Sequence, residues 1–389
     1  MLGYLAALAA LVLAAGAVYL VGFLDLNAYK PRLAALAEQH TGRRLNVEGD
    51  ISVVLLPAPG VSIAGPRLAS APGFDAAPLA AAETVTIGVE LLPLLRRQLR
   101  IRRIHVDGLR LDLVRNKAGE TNWSGVQEAL TAPAGEAAPP AVTVQGLDLT
   151  GTRLRYEDQG TGLTGEARFS ARVTADAAQR RFAIDRTAVD LRLAGPRLPQ
   201  EGVQGRLLLA AAADLDQGQV TAEGRLKLIN VVADGELDAA GVGGSAQVNG
   251  RLTVQEFSPR RLLAELGMAP DTRDGSVLAA AALELGLQGD RRQWTIEPQG
   301  RFDDTRISGR VTVTNPADPA IRFDLTLDRL NLDRYQPPPR DPILEPDNAE
   351  PAWTRLRDLD LRGNLRIGRL TLDGQSSRDV VIRVQWDPG

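Results

Sequence analysis

The sequence predicts a mainly β protein, in which an N-terminal transmembrane helix precedes an antiparallel β-sheet with a few short helices. Three observations support this fold class. The first 24 of the 389 residues carry no charged side chain. From Leu45 onward, most segments alternate apolar and polar residues with a period of two, which is typical of strands with one buried face. Glycine, proline, asparagine and aspartate separate these segments, and such residues favour turns.

The uncharged segment, residues 1–24, is the predicted membrane anchor. At about 1.5 Å per residue, a helix over residues 2–24 is long enough to cross a hydrocarbon layer of ~30 Å. A cleaved signal peptide is the alternative, but its apolar core would be only about 7–15 residues long. No small-residue cleavage pattern follows, because the segment continues directly into Asp25 and Leu26. We therefore expect a single-pass anchor that is not removed.

Local charge leaves the orientation of this anchor open. No lysine or arginine precedes it, whereas Lys30, Arg32, Arg43 and Arg44 follow it. The positive-inside rule would keep the following residues in the cytoplasm, but long domains cross membranes largely regardless of charge. A start site upstream of Met1 would also explain the missing basic residues.

The composition argues against several classes of function. A net charge of −3 gives no basic field for nucleic acid. Without cysteine, disulfides, zinc–thiolate sites and thiol catalysis are excluded. His40 and His105 are far apart, and neither lies in a metal-ligand spacing; we expect His105 on the polar face of a strand. Because phosphate-loop and nucleophile-elbow motifs are also absent, we expect no enzyme activity, no catalytic residue, no metal and no cofactor.

Capping residues and apolar periodicity predict three short helices. The first has Tyr29, Leu33, Leu36 and Ala37 on one face. The residues that suit the helix ends are Pro31 and Gly42 for the first helix, Ser124 and Leu130 for the second, and Ser258 and Pro259 with Leu266 and Gly267 for the third.

Alternating segments predict strands along most of the remaining chain. We expect turns between them at sites such as Asp234-Gly235, Asp290-Arg291 and Asn315-Pro316. The predicted strands cover residues 51–55, 61–63, 85–89, 104–113, 142–149, 169–173, 189–193, 207–209, 220–228, 248–254, 283–287, 294–296, 307–313, 321–327 and 365–372.

Three of these strands contain a step of three residues at a glycine, namely Gly108, Gly146 and Gly368. In a regular pleat, such a step would turn the second half of the strand onto the opposite face. A glycine bulge or tight bend at each step would restore the apolar side to the core and curl the sheet.

Two stretches rich in proline are the predicted linkers, at residues 131–140 and 336–351. They divide the chain into an N-terminal β domain, a central β-sheet region and a C-terminal β segment. With the anchor at residues 1–24, these regions cover residues 25–130, 141–335 and 352–389.

A sheet with one apolar face must cover that face, and the sequence leaves two ways open. The sheet either packs its own side chains as a sandwich or barrel, or keeps the face open for a hydrophobic ligand. With only 4% aromatic residues, an open face would be almost wholly aliphatic, which suits acyl chains. The candidate ligand-facing residues are Ile104, Val106, Leu109, Leu111, Val142, Val144, Leu147 and Leu149.

A basic cluster follows the apolar stretch at residues 91–95. Arg96, Arg97 and Arg100 are candidate contacts for a phospholipid headgroup. An exposed, solvated face beside a turn is the alternative.

Six short motifs follow one another in the first third of the chain: Asn27-Ala28-Tyr29-Lys30-Pro31-Arg32, Thr41-Gly42-Arg43-Arg44-Leu45, Gly49-Asp50-Ile51, Pro72-Gly73-Phe74, Leu91-Leu92-Pro93-Leu94-Leu95 and Gly119-Glu120-Thr121-Asn122-Trp123. In order and spacing they resemble the N-terminal domain of the AsmA family of envelope proteins, over about residues 25–130. The strand at residues 322–335 resembles the strand before the family's proline-rich linker, and residues 361–374 resemble the start of its C-terminal domain, which would be incomplete here.

The resemblance implies a single-pass protein of the bacterial inner membrane with its bulk in the periplasm. It also implies an elongated, curled sheet that forms a groove lined for lipid. We therefore expect membrane phospholipids as ligands, guided between the inner and outer membranes. The alternative is a scaffold or assembly factor for outer-membrane protein biogenesis, with envelope proteins as partners at exposed edge strands.

Overall fold

The computed structural model describes residues 25–55, 59–74, 77–90, 100–124, 143–176, 179–196, 198–242, 244–315, 319–338 and 360–386. These residues form 23 strands, two α-helices and two short 3-10 helices, so the mainly β fold class is confirmed. The predicted anchor, residues 1–24, lies outside the described residues. Within the described ranges, no helix combines the length and the apolar character needed to cross a membrane.

The chain divides into two compact units, residues 1–177 and 178–389. The first unit contains a 3-10 helix at Leu26–Tyr29, helix α1 at Lys30–Thr41, and strands β1 Leu45–Val47, β2 Ile51–Val54, β3 Gly60–Ala64, β4 Pro66–Leu68, β5 Ala80–Ala81, β6 Thr84–Val89, β7 Arg100–Asp107, β8 Arg110–Arg115, β9 Thr143–Val144, β10 Gly146–Asp158 and β11 Leu163–Asp176.

The second unit contains helix α2 at Pro259–Glu265, a 3-10 helix at Leu332–Arg334, and strands β12 Arg181–Ala194, β13 Val203–Asp214, β14 Gln219–Leu228, β15 Val231–Ala240, β16 Gln247–Phe257, β17 Ala281–Gly289, β18 Gln293–Phe302, β19 Thr305–Thr314, β20 Ala320–Leu327, β21 Leu330–Asn331, β22 Asp360–Leu372 and β23 Gln375–Trp386.

In the first unit, the long strand β10 joins two lines of strands. One line runs β2–β3–β6–β7–β10, and the other runs β1–β4–β5–β8–β10. On its other side, β10 pairs antiparallel with β11. The second unit is an antiparallel meander from β12 to β20, followed by β22 and β23.

The predicted antiparallel sheet contains parallel pairs at two places. Strands β9 and β10 run parallel to β7, β10 also runs parallel to β8, and β22 runs parallel to β20 and β21. A parallel neighbour needs a long connection. Such connections exist between Arg115 and Thr143 and between Asn331 and Asp360, where the predicted linkers lie.

Two of the predicted helices are confirmed with their ends. Pro31 lies in the first turn of α1, and Gly42 ends it with a φ of 66°, donating its N–H to the Glu38 carbonyl at 2.8 Å. At α2, the Ser258 hydroxyl accepts a hydrogen bond from the Arg261 N–H at 3.3 Å. Of the helix predicted to begin at Ser124, residues 125–130 lie outside the described part of the chain.

The glycine bulges are confirmed at one position of the three. Gly108 has a φ of 61° and separates β7 from β8. Gly146, by contrast, is buried and pairs regularly with Thr174, and the strand breaks one residue earlier, at Gln145. A register shift against β11 follows instead at Gly151, where φ is 62°.

Gly368 does not form a bulge. It lies inside β22, whose pairing with β23 keeps one register along its whole length. A Cβ atom at Gly368 would lie 2.6 Å from the Asp328 carbonyl oxygen. The glycine is therefore required by the close approach of the neighbouring chain.

The predicted turn at Asp234-Gly235 is also wrong, because both residues lie in the middle of β15. The preceding turn is at Ile229, which has a φ of 54°. Asp234 forms an ion pair with Arg225 across the strands, so its charge stays on the solvated side. At Asp290, the predicted turn is confirmed, since its carboxylate accepts two backbone N–H groups that follow.

Burial distinguishes between the sandwich and the open face. Among the described residues, the buried apolar ones are Ile51, Ala71, Leu79, Val203, Val277, Ala281 and Ile367. A sandwich would bury alternate residues of nearly every strand between its layers. The apolar residues of most strands in each unit are only half-buried, as in the alternating pattern of β14. Each unit therefore presents an open sheet.

Candidate functional site

The sheet of the second unit has two chemically different faces. Directly opposite residues on antiparallel strands point to the same side, so the pairing register extends a face from strand to strand. We call the side that carries Leu226 the apolar face, and the side that carries Arg225 the polar face. On β14 the apolar-face residues are half-buried, and the polar-face residues are exposed.

Rows of directly opposite residues cross the apolar face. One row consists of Leu207, Leu226, Ala233, Val254, Leu283, Gly300, Ile307, Leu327 and Ile367. Another consists of Ile184, Ala211, Ala222, Leu237, Gly250, Leu287, Ile296, Val311, Phe323 and Gly363. These rows contain no charged or hydrogen-bonding side chain.

Two aromatic rings lie across glycines of the neighbouring strand on this face. A Cβ atom at Gly289 would lie 2.5 Å from the Trp294 ring, and one at Gly363 would lie 2.5 Å from the Phe323 ring. Aromatic side chains placed over glycine cover backbone that would otherwise be bare. The rings thus extend the apolar face across positions that have no side chain.

The apolar face is accessible. Leu237 is 38% exposed, and Phe182 and Ile382 are each 41% exposed. Leu237 stands between two small residues, Ala222 and Gly250. Large contiguous apolar patches on a protein surface mark sites for ligands, membranes or partner proteins.

The polar face carries ion pairs between its strands. Arg206 lies 2.8 Å from Asp190, Arg186 lies 3.0 Å from Glu223, and other pairs continue the pattern. Because these groups are exposed, each pair contributes little to stability. They keep this face hydrated, so the sheet separates an aliphatic side from an aqueous one.

The first unit brings four of the predicted ligand-facing residues together. Ile104 lies between Ile87 and Leu147, and Val106 lies between Val85 and Leu149. All four are half-buried and share one face of the sheet. Their proposed contact with lipid stays a prediction.

The other predicted residues are more dispersed. Leu111 pairs with Leu154 on β10, and Leu109 is half-buried in the break between β7 and β8. Val144 lies beside Ile101, and Val142 lies outside the described residues. Of the candidate headgroup contacts, Arg100 is exposed at the start of β7, whereas Arg96 and Arg97 lie outside the described part.

A charged cluster on the polar side of the first unit was not predicted. His105 is on the polar side as expected, with its Nδ1 atom 3.1 Å from the Asp148 carboxylate. Arg103 and Arg172 also contact this carboxylate, at 2.5 and 3.1 Å. Burial alone would raise the pKa of Asp148, but the two guanidinium groups hold it below its ordinary value. Only the pairing of β7, β10 and β11 brings these side chains together.

Comparison with known protein families gives a match over most of the chain. The sequence model of the AsmA family matches residues 3–339. No curated protein and no solved structure matches the chain.

Proposed function

Because this chain belongs to the AsmA family, we propose that it is a membrane-anchored envelope protein that binds phospholipid on the apolar face of its sheet. In this proposal, residues 1–24 hold it in the bacterial inner membrane, with its bulk in the periplasm. It guides phospholipid between the inner and outer membranes and so contributes to outer-membrane homeostasis.

The open, half-buried apolar face is the observation that supports this function best. An acyl chain laid on the face removes apolar surface from water, which contributes roughly 25 cal/mol per Å². The ligand needs no hydrogen-bond partner there, since the rows through Leu226 and Leu237 offer none. Binding of this kind is non-covalent, and the proposal includes no catalytic residue, metal or cofactor.

The aliphatic character of the rows also suits movement of the ligand. Leucine, valine, isoleucine and alanine provide contacts without preferred direction, and the same chemistry repeats from β13 to β22. An acyl chain that shifts from one row to the next therefore exchanges one set of contacts for a similar one. We propose that lipid moves along the face in this way.

Site-specific photocrosslinking in living cells tests the proposal. Leu287 lies on the apolar face between Gly250 and Ile296, and its neighbour Gln288 is exposed on the polar face. A photoreactive residue at position 287 should form phospholipid adducts, and the same residue at position 288 should form none. Equal lipid adducts at both positions, or none at either, would contradict the proposal.

A purified full-length chain offers a second test. Lipid extraction followed by mass spectrometry should recover co-purified phospholipid. A protein that is consistently free of lipid in mild detergents would overturn the proposal.

The alternative function is a scaffold for outer-membrane protein biogenesis, and one observation favours it. Strand β23 pairs with β22 along one side, and within the described residues no strand pairs with the other side of residues 375–384. Val381 there is 52% exposed. Such an edge can accept an added strand. Crosslinks from position 381 to outer-membrane proteins, without lipid adducts at position 287, would support this alternative.

A further inference from the structure

Three arginines lie side by side on three neighbouring strands of the first unit. Arg110 on β8 pairs with Arg153 on β10, and Arg153 pairs with Arg168 on β11. Directly opposite side chains on neighbouring strands are close enough to interact. We call these residues the arginine row.

Carboxylates compensate the charge of the arginine row only in part. Arg110 has an exposed contact with Glu83 at 3.3 Å, and Arg168 has one with Glu166 at 3.5 Å. Within the described residues, Arg153 has no carboxylate within ion-pair distance. Like charges placed directly opposite are destabilising. The middle of the row therefore holds an excess of positive charge.

The second unit provides the contrast. Several of its arginines face a carboxylate across the strands, as Arg206 faces Asp190 and Arg225 faces Asp234. Arg301 is opposed to Arg306, but it also forms an ion pair with Glu256.

A depression of about 210 Å³ lies over the arginine row. This volume is large enough to hold a phosphate group. Four arginines and two carboxylates line it, so its charged side chains carry an excess of positive charge. Guanidinium groups bind phosphate through paired N–H···O hydrogen bonds. The charged lining residues are Arg110, Arg153, Arg155, Arg168, Asp112 and Glu166.

We propose that Arg110, Arg153 and Arg168 bind a phosphate-type oxyanion on the polar side of the first unit. An oxyanion between the guanidinium groups replaces their mutual repulsion by attraction. The site stands independently of lipid binding on the apolar face, because it depends only on the arginine row. Its ligand is either free phosphate or the phosphate of a lipid headgroup.

Calorimetric titration of the full-length chain in maltoside micelles tests this site. Inorganic phosphate should bind saturably, with sodium chloride of equal ionic strength as the blank. Arg153→Gln should weaken binding at least tenfold. The matched control is Arg251→Gln, which removes an exposed arginine whose contact with Glu284 is 3.4 Å long, and it should leave binding unchanged. Absence of saturable binding, or an equal loss in both variants, would overturn the proposal.

Thermal unfolding supplies a readout that does not depend on calorimetry. A ligand that binds the folded state raises the unfolding temperature. Phosphate should therefore raise the Tm of the wild-type chain and of Arg251→Gln, but not that of Arg153→Gln. A phosphate-induced shift of the same size in all three proteins would contradict a site at Arg153.

Short-chain phosphatidic acid, used below its micelle concentration, distinguishes the two sources of the phosphate group. Binding tighter than that of inorganic phosphate, and weakened by Arg153→Gln, identifies a lipid headgroup. Equal binding of the two probes, with the same sensitivity to Arg153→Gln, identifies free phosphate. Binding of the lipid that Arg153→Gln does not affect, together with no binding of phosphate, counts against the site.

Discussion

Replacing Leu237 by glutamine should weaken phospholipid binding without unfolding the sheet. Leu237 is 38% exposed on the apolar face and stands between Ala222 and Gly250. Because both neighbours are small, its side chain is well placed to contact an acyl chain. Glutamine has a similar size, so the change replaces apolar surface by an amide and leaves no large cavity.

The expected magnitude follows from the exposure of Leu237. An exposure of 38% corresponds to roughly 70 Å² of accessible surface. At roughly 25 cal/mol per Å², complete coverage by lipid would contribute about 1.7 kcal/mol. Glutamine keeps part of the aliphatic stem, so we expect a loss of about 1 kcal/mol, which is about a fivefold increase in Kd.

The control is the same substitution on the opposite face. Leu208 is half-buried on the polar face, where it pairs with Arg225. Both variants would be reconstituted in nanodiscs as full-length chains and titrated with a fluorescent short-chain phosphatidylcholine. Leu237→Gln should show the weaker binding, and Leu208→Gln should match the wild-type chain.

Two results would refute the reasoning. If Leu208→Gln weakened binding as much as Leu237→Gln, the lipid would not distinguish the faces. If neither variant changed the Kd while both remained folded, the apolar face around Leu237 would not contact the lipid.

Three further predictions concern stability. Asn122 is 1% exposed; its side chain accepts a hydrogen bond from a backbone N–H at 2.9 Å and donates one to a backbone C=O at 2.7 Å. Asn122→Ala should therefore lower the free energy of unfolding by about 2 kcal/mol, measured by urea titration. An unchanged midpoint of urea unfolding would contradict a stabilising role of these hydrogen bonds. Gly363→Ala would place a Cβ atom 2.3 Å from the Phe323 carbonyl oxygen, and overpacking of this kind costs about 1–3 kcal/mol. Gly275→Ala, where nothing lies within 4 Å, is the control, and equal Tm values for the two variants would be evidence against the predicted clash. Burial by itself would raise the pKa of Asp303, but hydrogen bonds from the Tyr335 hydroxyl and from three backbone N–H groups hold this pKa below its ordinary value. The Asp303 carboxylate therefore stabilises the folded state at neutral pH, and this contribution is lost as the pH falls below about 4. Asp303→Asn should flatten the fall of Tm with pH in that range, and a slope identical to that of the wild-type chain would exclude the contribution.

Local features of the fold were predictable because their causes are local. Pro31 and Gly42 set the ends of α1 through their own backbone preferences, and alternation along residues 220–228 identified β14. The prediction of a turn at Asp234-Gly235 was wrong because it considered only the local preferences of these two residues. Aspartate and glycine favour turns in isolation, but here the ion pair with Arg225 and the facing Gly224 accommodate them within a strand.

The sites were predictable only in part. Ile104, Val106, Leu147 and Leu149 were identified as one face of their strands, and the structure places them side by side. The cluster around Asp148 and the arginine row were missed. Alternating arginines were visible in the sequence, but the partner of each depends on the register between strands far apart along the chain.

The sequence by itself determined which side chains share a face within each strand, because the period of two is a property of the extended backbone. The membrane anchor predicted at residues 1–24 likewise depends only on the composition of those residues, which have no charged side chain. Only the tertiary structure decided that most residues of the apolar rows stay half-buried rather than packed in a sandwich. It also decided that Arg110, Arg153 and Arg168 meet, and that β10 and β22 run parallel to their neighbours. Strand pairing and the covering of a face are long-range contacts, and the alternation within one strand is compatible with many of them.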